Sequence, residues 1–296
     1  MHLKKLILFA VAFTVAALVA FFLYEKPASK DFPKLDSILD QFAAPGLPHA
    51  DPAICIDCHQ EAADKWKNSH HALANAPLSE ADRDRLDANE GSLLEDRKIR
   101  WHDKPDTVVL TEEGVADQPV VGSIGITPLI QYLHLAPDGR IQTHDVAWDV
   151  DQEEWFSVFE LDDDPEDPRM PGEWGHWSGQ GMNWDANCAY CHMTEYKKNF
   201  DPEENVYNRT WSHMAITCVQ CHPKMDVHMS QVRNGNNDFE ETLTPKQMME
   251  MCATCHARRD QLTADGFVAG DLFEDHFQLT LADMEGLYHP DGQVIG

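Results

Sequence analysis

The hydrophobic pattern begins with a long uncharged run near the N-terminus. Leu6 to Tyr24 contains no charged residue and follows Lys4 and Lys5. As an α-helix this run would span roughly 28 Å, close to the thickness of a bilayer's hydrocarbon core. No small-x-small cleavage site follows it, so the pattern predicts an uncleaved anchor at residues 1–24, with its lysines in the cytoplasm. The alternative is a removed secretory signal, and both interpretations place the remaining chain in an exported compartment.

Periodic apolar positions predict short helices further along. The segment 25–50 is a predicted tether, and within it Leu35, Ile38, Leu39 and Phe42 recur at helical spacing. Two more helices are predicted in the stretches "CHQEAADKWKNSHHALANA" and "TPKQMMEMCATCHARRDQL", which combine good helix formers with few breakers.

A different pattern occupies residues 98–159. Short runs such as "TVVL", "LIQYLHL" and "EWFSVF" are rich in β-branched and aromatic residues, and turn signals such as "EEG" and "APDG" separate them. The pattern predicts a small β insertion between helical and irregular segments. The remaining body, 51–296, is predicted to be one domain that contains this insertion.

The sequence contains one motif four times. "CIDCH", "CAYCH", "CVQCH" and "CATCH" share the pattern CxxCH, and together they use all eight cysteines of the chain. The twelve motif residues are Cys55, Cys58, His59, Cys188, Cys191, His192, Cys218, Cys221, His222, Cys252, Cys255 and His256.

CxxCH is the attachment signature of c-type haem. Two thiols three positions apart can form thioether bonds to one edge of a porphyrin, and the following histidine then supplies an axial nitrogen to the iron. The motifs therefore predict four covalently bound haem c groups, with His59, His192, His222 and His256 as proximal ligands. Disulfides, paired zinc knuckles and a thioredoxin-like redox pair are the alternatives, but none explains the adjacent histidines.

The sixth iron position needs a further ligand if each haem has two imidazoles. The chain has 16 histidines, so the supply is sufficient. The candidates that we favour lie near the motifs or near the C-terminus, and they are His70, His71, His176, His228, His276 and His289. Histidines in the predicted strands are expected to be structural instead, and they are His102, His134 and His144.

Composition limits the class of partner. The chain has 296 residues and a formal net charge of −28. Nucleic acid needs a basic protein surface, so this charge argues against it. A strongly acidic surface suits a soluble body and a basic protein partner, and it mainly affects the rate of encounter.

Several segments resemble a known superfamily. "CIDCHQEAADKWKNSHHALA" is similar to the first-haem segment of multihaem c-type cytochromes related to hydroxylamine oxidoreductase and the tetrahaem nitrification cytochromes. "GMNWDANCAYCH", "YNRTWSHMAITCVQCH" and "GLYHPDGQVIG" resemble large multihaem chains, some of which are fused to tetratricopeptide repeats. The resemblance implies a mostly α and irregular multihaem cytochrome fold and supports His71, His176, His228 and His289 as ligands. Such chains usually continue with further CxxCH motifs.

These features predict electron transfer as the function. A membrane-anchored tetrahaem cytochrome would carry electrons between a membrane partner, such as a quinol oxidase or a reductase, and a periplasmic or extracellular acceptor. One alternative is an oxidoreductase that acts on a small nitrogen or sulfur compound at one open-sided haem. Another is an oligomer in which subunits stack their haems end to end into a filament.

Overall fold

A computed structural model describes most of the chain after the predicted anchor. The described ranges are 35–87, 99–104, 107–112, 117–159, 169–236, 243–264 and 266–281. Contacts divide the chain into Met1–Pro33 and Lys34–Gly296, and every described residue belongs to the second unit. The predicted anchor and His289 lie outside the described residues. Within the described ranges, no helix combines the length and the apolar character that a membrane crossing requires.

The helices of the described part are short. They are α1 (Leu35–Ala43), α2 (Ala53–Ile56), α3 (Gln60–Trp66), α4 (Glu80–Asp87), α5 (Trp184–Asn187), α6 (Ala189–His192), α7 (Met225–Arg233), α8 (Pro245–His256) and α9 (Phe273–His276). Three short 3₁₀ helices occur at Pro48–Ala50, Gln180–Met182 and Cys218–Gln220.

In the described ranges the strands form one large sheet and three two-stranded ribbons. They are β1 (Asn75–Ala76), β2 (Ile99–Lys104), β3 (Thr107–Glu112), β4 (Gln118–Ile124), β5 (Leu129–Leu135), β6 (Ile141–Asp149), β7 (Glu154–Ser157), β8 (Met193–Thr194), β9 (Phe200–Asp201), β10 (Val206–Tyr207), β11 (His213–Met214), β12 (Arg259–Gln261) and β13 (Phe277–Leu279). The seven-stranded sheet has the order β2-β3-β4-β5-β6-β7, and β1 pairs antiparallel with β4. The ribbons are β8–β11, β9–β10 and β12–β13.

Successive residues of a strand point to opposite faces of the sheet. Both faces of this sheet are buried, because neighbouring residues on its strands belong to two different core clusters. Val121 and Leu133 belong to a core cluster that also contains Trp184 and Met193, next to the second CxxCH motif. Val120 and Tyr132 belong to a separate cluster on the other face. The sheet therefore lies between two core clusters, and one of these clusters adjoins the second motif.

The predicted helix in the tether forms as α1, and its Ile38 and Phe42 are buried in the core. The fold as a whole combines helix and sheet, so the expectation of a mostly α and irregular chain was too narrow. Six strands, β2 to β7, lie within the predicted 98–159 stretch. With β1 they form a sheet of seven strands rather than a minor insertion.

The helix predicted after the first motif is shorter than its sequence suggests. It ends at Trp66, and turns follow as far as Ala74. The Ser69 backbone N–H donates to the Trp66 carbonyl at 2.8 Å, and the Ser69 hydroxyl accepts from the Ala72 N–H at 3.3 Å. A serine side chain that bonds nearby backbone competes with helix formation. His70 and His71 therefore lie in a turn and not on a helix.

Candidate functional site

The first three CxxCH motifs fold locally as short helical turns, and the fourth forms the end of a longer helix. In the first motif the His59 backbone N–H donates to the Cys55 carbonyl at 2.8 Å. The equivalent bond in the third motif joins His222 to Cys218 at 2.9 Å. Residues three positions apart on such a turn lie on the same side. Each turn therefore presents both thiols together, with the histidine directly after them.

The second motif follows a capped turn. The Asn183 side chain accepts from the Ala186 N–H and starts α5. The Cys188 N–H then donates to the Trp184 carbonyl at 3.1 Å, and the Cys191 N–H donates to the Cys188 carbonyl at 3.1 Å. Trp184 is fully buried. The backbone of this motif is consequently fixed by the protein core.

The fourth motif lies at the C-terminal end of α8. Thr244 and Gln247 form a capping box at the start of this helix, with Pro245 in its first turn. Such a box satisfies two backbone N–H groups that have no partner inside the helix. The cap thus helps to hold the helix that presents Cys252, Cys255 and His256.

We expect a Thr244→Ala variant to lower the free energy of unfolding by about 1 kcal/mol, because the cap hydrogen bond to the Gln247 N–H is lost. Denaturant unfolding followed by circular dichroism measures this change. A Thr244→Ser variant keeps the hydroxyl and should unfold close to wild type. Equal losses in both variants would show that the cap contributes nothing.

The eight cysteines form no disulfide. Instead, thiols of different motifs are neighbours. Burial, followed by the nearby Cys218 thiol, raises the pKa of Cys55 to about 11. Cys191 Sγ lies 4.0 Å from the Cys255 carbonyl oxygen, and the two thiols interact directly. Cys221 lies close enough to both thiols of the fourth motif for burial and their charge to raise its pKa.

Two of the motif histidines face a second imidazole. The ring centroids of His59 and His228 are 6.0 Å apart, and those of His71 and His256 are also 6.0 Å apart. Two imidazoles on opposite sides of one metal ion, with bonds of about 2.0–2.1 Å, have centroids roughly 6 Å apart. The spacing therefore fits a shared metal. A third close pair, His134 and His144 at 5.9 Å, lies in the sheet and contains no CxxCH histidine.

A hydrogen bond to a backbone carbonyl orients the His192 imidazole and leaves one of its nitrogens available to a metal. Its Nδ1 lies 3.0 Å from the Ala74 carbonyl oxygen. A carbonyl can only accept, so Nδ1 donates the proton and Nε2 is the available nitrogen. Burial lowers the pKa of His192, although the bond to Ala74 opposes this shift. A metal-ligating imidazole must be neutral, and a backbone carbonyl is a usual outer partner for it. No sequence signal identified Ala74 as this partner.

A cavity of about 210 Å³ lies between the first and third motifs. It is lined by Cys55, Cys218 and Cys221 together with His59 and His71. Thiols and imidazoles that share one cavity are the donor set that covalent haem requires. Trp66 closes part of the wall, and its Nε1–H donates to the Ile216 carbonyl at 2.9 Å.

An internal ion pair holds the second motif against the sheet. Arg209 contacts both carboxylate oxygens of Asp185, with Nη2 2.9 Å from Oδ2. The same carboxylate accepts from the Ile141 backbone N–H and from the Tyr196 hydroxyl, each at 3.1 Å. Arg209 also donates to the carbonyl of Gly139 at 2.9 Å, in the β5–β6 turn where φ is +81°. Sequence reasoning did not identify this network.

The other predicted ligands have different surroundings. His176 is buried, its ring packs on Trp177 with centroids 5.4 Å apart, and its Nδ1 lies 2.7 Å from the Ser178 hydroxyl. His276 has protein partners at both nitrogens, since Nδ1 lies 3.2 Å from Thr263 Oγ1 and Nε2 lies 3.4 Å from Asp271.

His70 is exposed in the turn next to His71. Across the described residues no three or more His, Cys, Asp or Glu side chains converge on one point. A four-ligand zinc site, which the sequence left as an alternative, would require such a cluster.

Residues 54–102 match the protein family described as Cytochrome c554 and c-prime. This segment contains the whole first CxxCH motif, its helix and the turn with His71. No curated protein matches the chain in sequence.

Two solved structures are similar to this chain. The outer cell wall cytochrome OcwA matches with a TM-score of 0.53 and 16% identity, over 82% of this chain and 47% of that one. The undecaheme cytochrome from the S-layer of Carboxydothermus ferrireducens matches with a TM-score of 0.39 and 17% identity, over 86% of this chain and 31% of that one. The chain therefore spans about half the length of OcwA and a third of the S-layer protein. The similarity to OcwA shows a shared fold, and the family match covers the segment around the first CxxCH motif.

Proposed function

We propose that the chain is an exported tetrahaem c-type cytochrome whose function is electron transfer. The observation that supports this most directly is the proximity of thiols from different CxxCH turns, because it would place the cofactors bound there close together. Each bound haem c would supply one reversible one-electron step. The distant relationship to the hydroxylamine oxidoreductase superfamily belongs to the same proposal.

The chain's own residues would hold each group by three kinds of contact. The paired cysteines would form the thioether bonds, and His59, His192, His222 and His256 would provide the proximal nitrogens. His228 would provide the second nitrogen at the first motif, and His71 would provide it at the fourth. The two ring pairs at 6.0 Å support this assignment. His70, His176, His276 and His289 stay as predictions for the remaining positions.

The thiol contacts also favour a spatial order that differs from the order in sequence. Cys55 of the first motif neighbours Cys218 of the third, and Cys221 of the third neighbours the thiols of the fourth. Cys255 of the fourth then contacts Cys191 of the second. The proposed path is therefore first, third, fourth, second. Electrons would enter and leave at the first and second sites.

The proposed location and partners of the protein are based on its sequence. The segment 1–24 would anchor the body outside the cell membrane, or it would be removed after export to the periplasm. A membrane quinol oxidase or reductase would exchange electrons with the body. The net charge of −28 suits a basic docking surface on a soluble partner. Contact between copies through their terminal sites would form the proposed haem–haem oligomer.

We expect the mature, exported protein to contain four haems per chain. Intact-mass measurement and a pyridine haemochrome assay give this number directly, and replacing both cysteines of one motif by alanine should remove one haem. A colourless protein with the mass of the bare polypeptide would contradict the proposal.

Ligand binding separates electron transfer from catalysis. We expect carbon monoxide, nitrite and hydroxylamine to leave the absorption spectrum of the purified protein unchanged, since each iron would have two protein ligands. Rapid reduction by a quinol analogue, followed by reoxidation by a soluble acceptor, should proceed in the same sample. A spectral shift with one of these compounds would favour an oxidoreductase with one open-sided haem instead.

A further inference from the structure

Arg259 lies where the second and fourth motifs meet. It follows His256 by three residues and begins β12, which pairs with β13. Its Nε and Nη2 donate to the Thr254 carbonyl at 2.8 and 2.6 Å. Nη2 also lies 3.9 Å from Cys191 Sγ. The guanidinium therefore contacts the backbone of the fourth motif and a thiol of the second.

Two aromatic rings hold this guanidinium in place. Its Cζ lies 4.9 Å from the ring centroid of Tyr190 and 4.5 Å from that of Phe277. The two rings are 5.7 Å apart and nearly perpendicular to each other. A guanidinium between ring faces gains cation–π attraction and is partly shielded from water. Tyr190 is itself one of the two variable residues of the second motif.

Arg259 forms no ion pair with an acidic residue in the part of the chain that the structure describes. No carboxylate of the described residues lies within 4.0 Å of its side-chain nitrogens. The chain has 51 acidic residues against 23 basic ones, so an isolated cation between two CxxCH motifs is unusual. By comparison, Arg209 and Arg85 each contact an aspartate.

We propose that Arg259 is a positioning residue that places a fixed positive charge beside the second and fourth CxxCH sites and raises the reduction potential of the haem bound at each. The inference rests on the proposed function. Reduction adds an electron, and a nearby positive charge favours the reduced form. Charge near the cofactor and contacts around the ligating sulfurs are known determinants of potential. The same guanidinium, bonded to Thr254 and close to Cys191, also keeps the two motifs adjacent.

The effect should be large enough to measure. At an effective dielectric constant of about 20, a unit charge about 10 Å from a redox centre changes a one-electron equilibrium roughly tenfold. For a one-electron couple, a tenfold change corresponds to about 59 mV. An Arg259→Gln variant is therefore expected to lower two of the four midpoint potentials by about that amount and to leave the other two in place.

The experiment is a potentiometric titration of the purified holoprotein, followed by absorption and by electron paramagnetic resonance, which separates the individual haems. Arg259→Lys keeps the charge but loses the pair of hydrogen bonds to the Thr254 carbonyl, so the midpoint potentials of this variant should stay near wild type. Phe277→Leu opens one side of the aromatic enclosure to water and should lower the same two potentials by a smaller amount. Arg140→Gln is the control, because it removes the same charge from a residue that forms an ion pair with Asp138 and also contacts Asn205.

Unchanged potentials in both Arg259→Gln and Phe277→Leu would overturn the inference, as would equal shifts in Arg259→Gln and Arg140→Gln. Equal shifts in Arg259→Gln and Arg259→Lys would overturn the role of the charge. Haem stoichiometry in the same samples separates these outcomes from a failure of the proposed function. If these variants contain four haems and have unaltered potentials, only the role of Arg259 is contradicted. If the purified protein contains no haem, the proposed function is contradicted.

Discussion

A His228→Ala variant is expected to convert one of the four proposed haems from low spin to high spin, and a His71→Ala variant should convert a different one. Each replacement removes an imidazole whose ring centroid lies 6.0 Å from that of a CxxCH histidine, and the iron position that this imidazole is proposed to fill would become open to water or an added ligand. Electron paramagnetic resonance should show the loss of one low-spin component. Carbon monoxide should bind to the reduced variant and not to the wild-type protein.

Neighbouring and distant histidines provide controls for this result. His70 is adjacent to His71, so His70→Ala tests whether the turn presents the correct residue of the pair. His49 is an exposed histidine that contacts Glu195 at 2.7 Å, and His49→Ala should leave every proposed haem low spin. A spin change in His70→Ala but not in His71→Ala would refute the assignment at the fourth motif.

The second large effect concerns the internal ion pair. We expect Arg209→Met to lower the free energy of unfolding by about 3–5 kcal/mol, because it leaves the Asp185 carboxylate buried without its cation. Asp185 is 1% exposed and Arg209 is 5% exposed, so water cannot replace the lost contact. Denaturant unfolding of the holoprotein measures the loss.

The pH dependence provides an independent check on this cause. Burial raises the pKa of Asp185, and Arg209 opposes that shift. Without Arg209 the protonated carboxyl becomes favoured in the folded state, so the destabilisation should be largest at neutral pH and should shrink as the pH falls. Lys65→Met removes an exposed partner of Glu61 and should change stability little. A pH-independent loss in Arg209→Met would point to lost packing instead.

The sequence predicted those parts of the site that depend on short-range geometry. The four CxxCH turns and the helix α1 arise from contacts within a few residues, and residue spacing encodes such contacts. The turn after Trp66 was missed, although its cause is also local. Good helix formers suggested a longer helix, but the Ser69 side chain and backbone form turn hydrogen bonds there.

Contacts between segments that are distant in the sequence could not be predicted from residue spacing. Nothing in the local sequence of His228 identifies the first motif as its neighbour, because the pairing depends on how the chain folds back. The same holds for Ala74 beside His192 and for Arg209 beside Asp185. The sheet was underestimated for a related reason, since burial on both faces only emerges when Val120 and Val121 meet different partners.

The separation in sequence between facing imidazoles has a consequence for biogenesis. His59 belongs to the first motif that a ribosome produces, yet its facing ring, His228, is synthesised only after the third motif has passed. Contacts between residues so far apart form late and slow the search for the native topology. If haem attaches at the first motif as proposed, a nascent polypeptide would carry that group with one side unprotected until His228 had been synthesised. Maturation factors that shield newly attached porphyrin from solvent and oxidants would be needed throughout that interval.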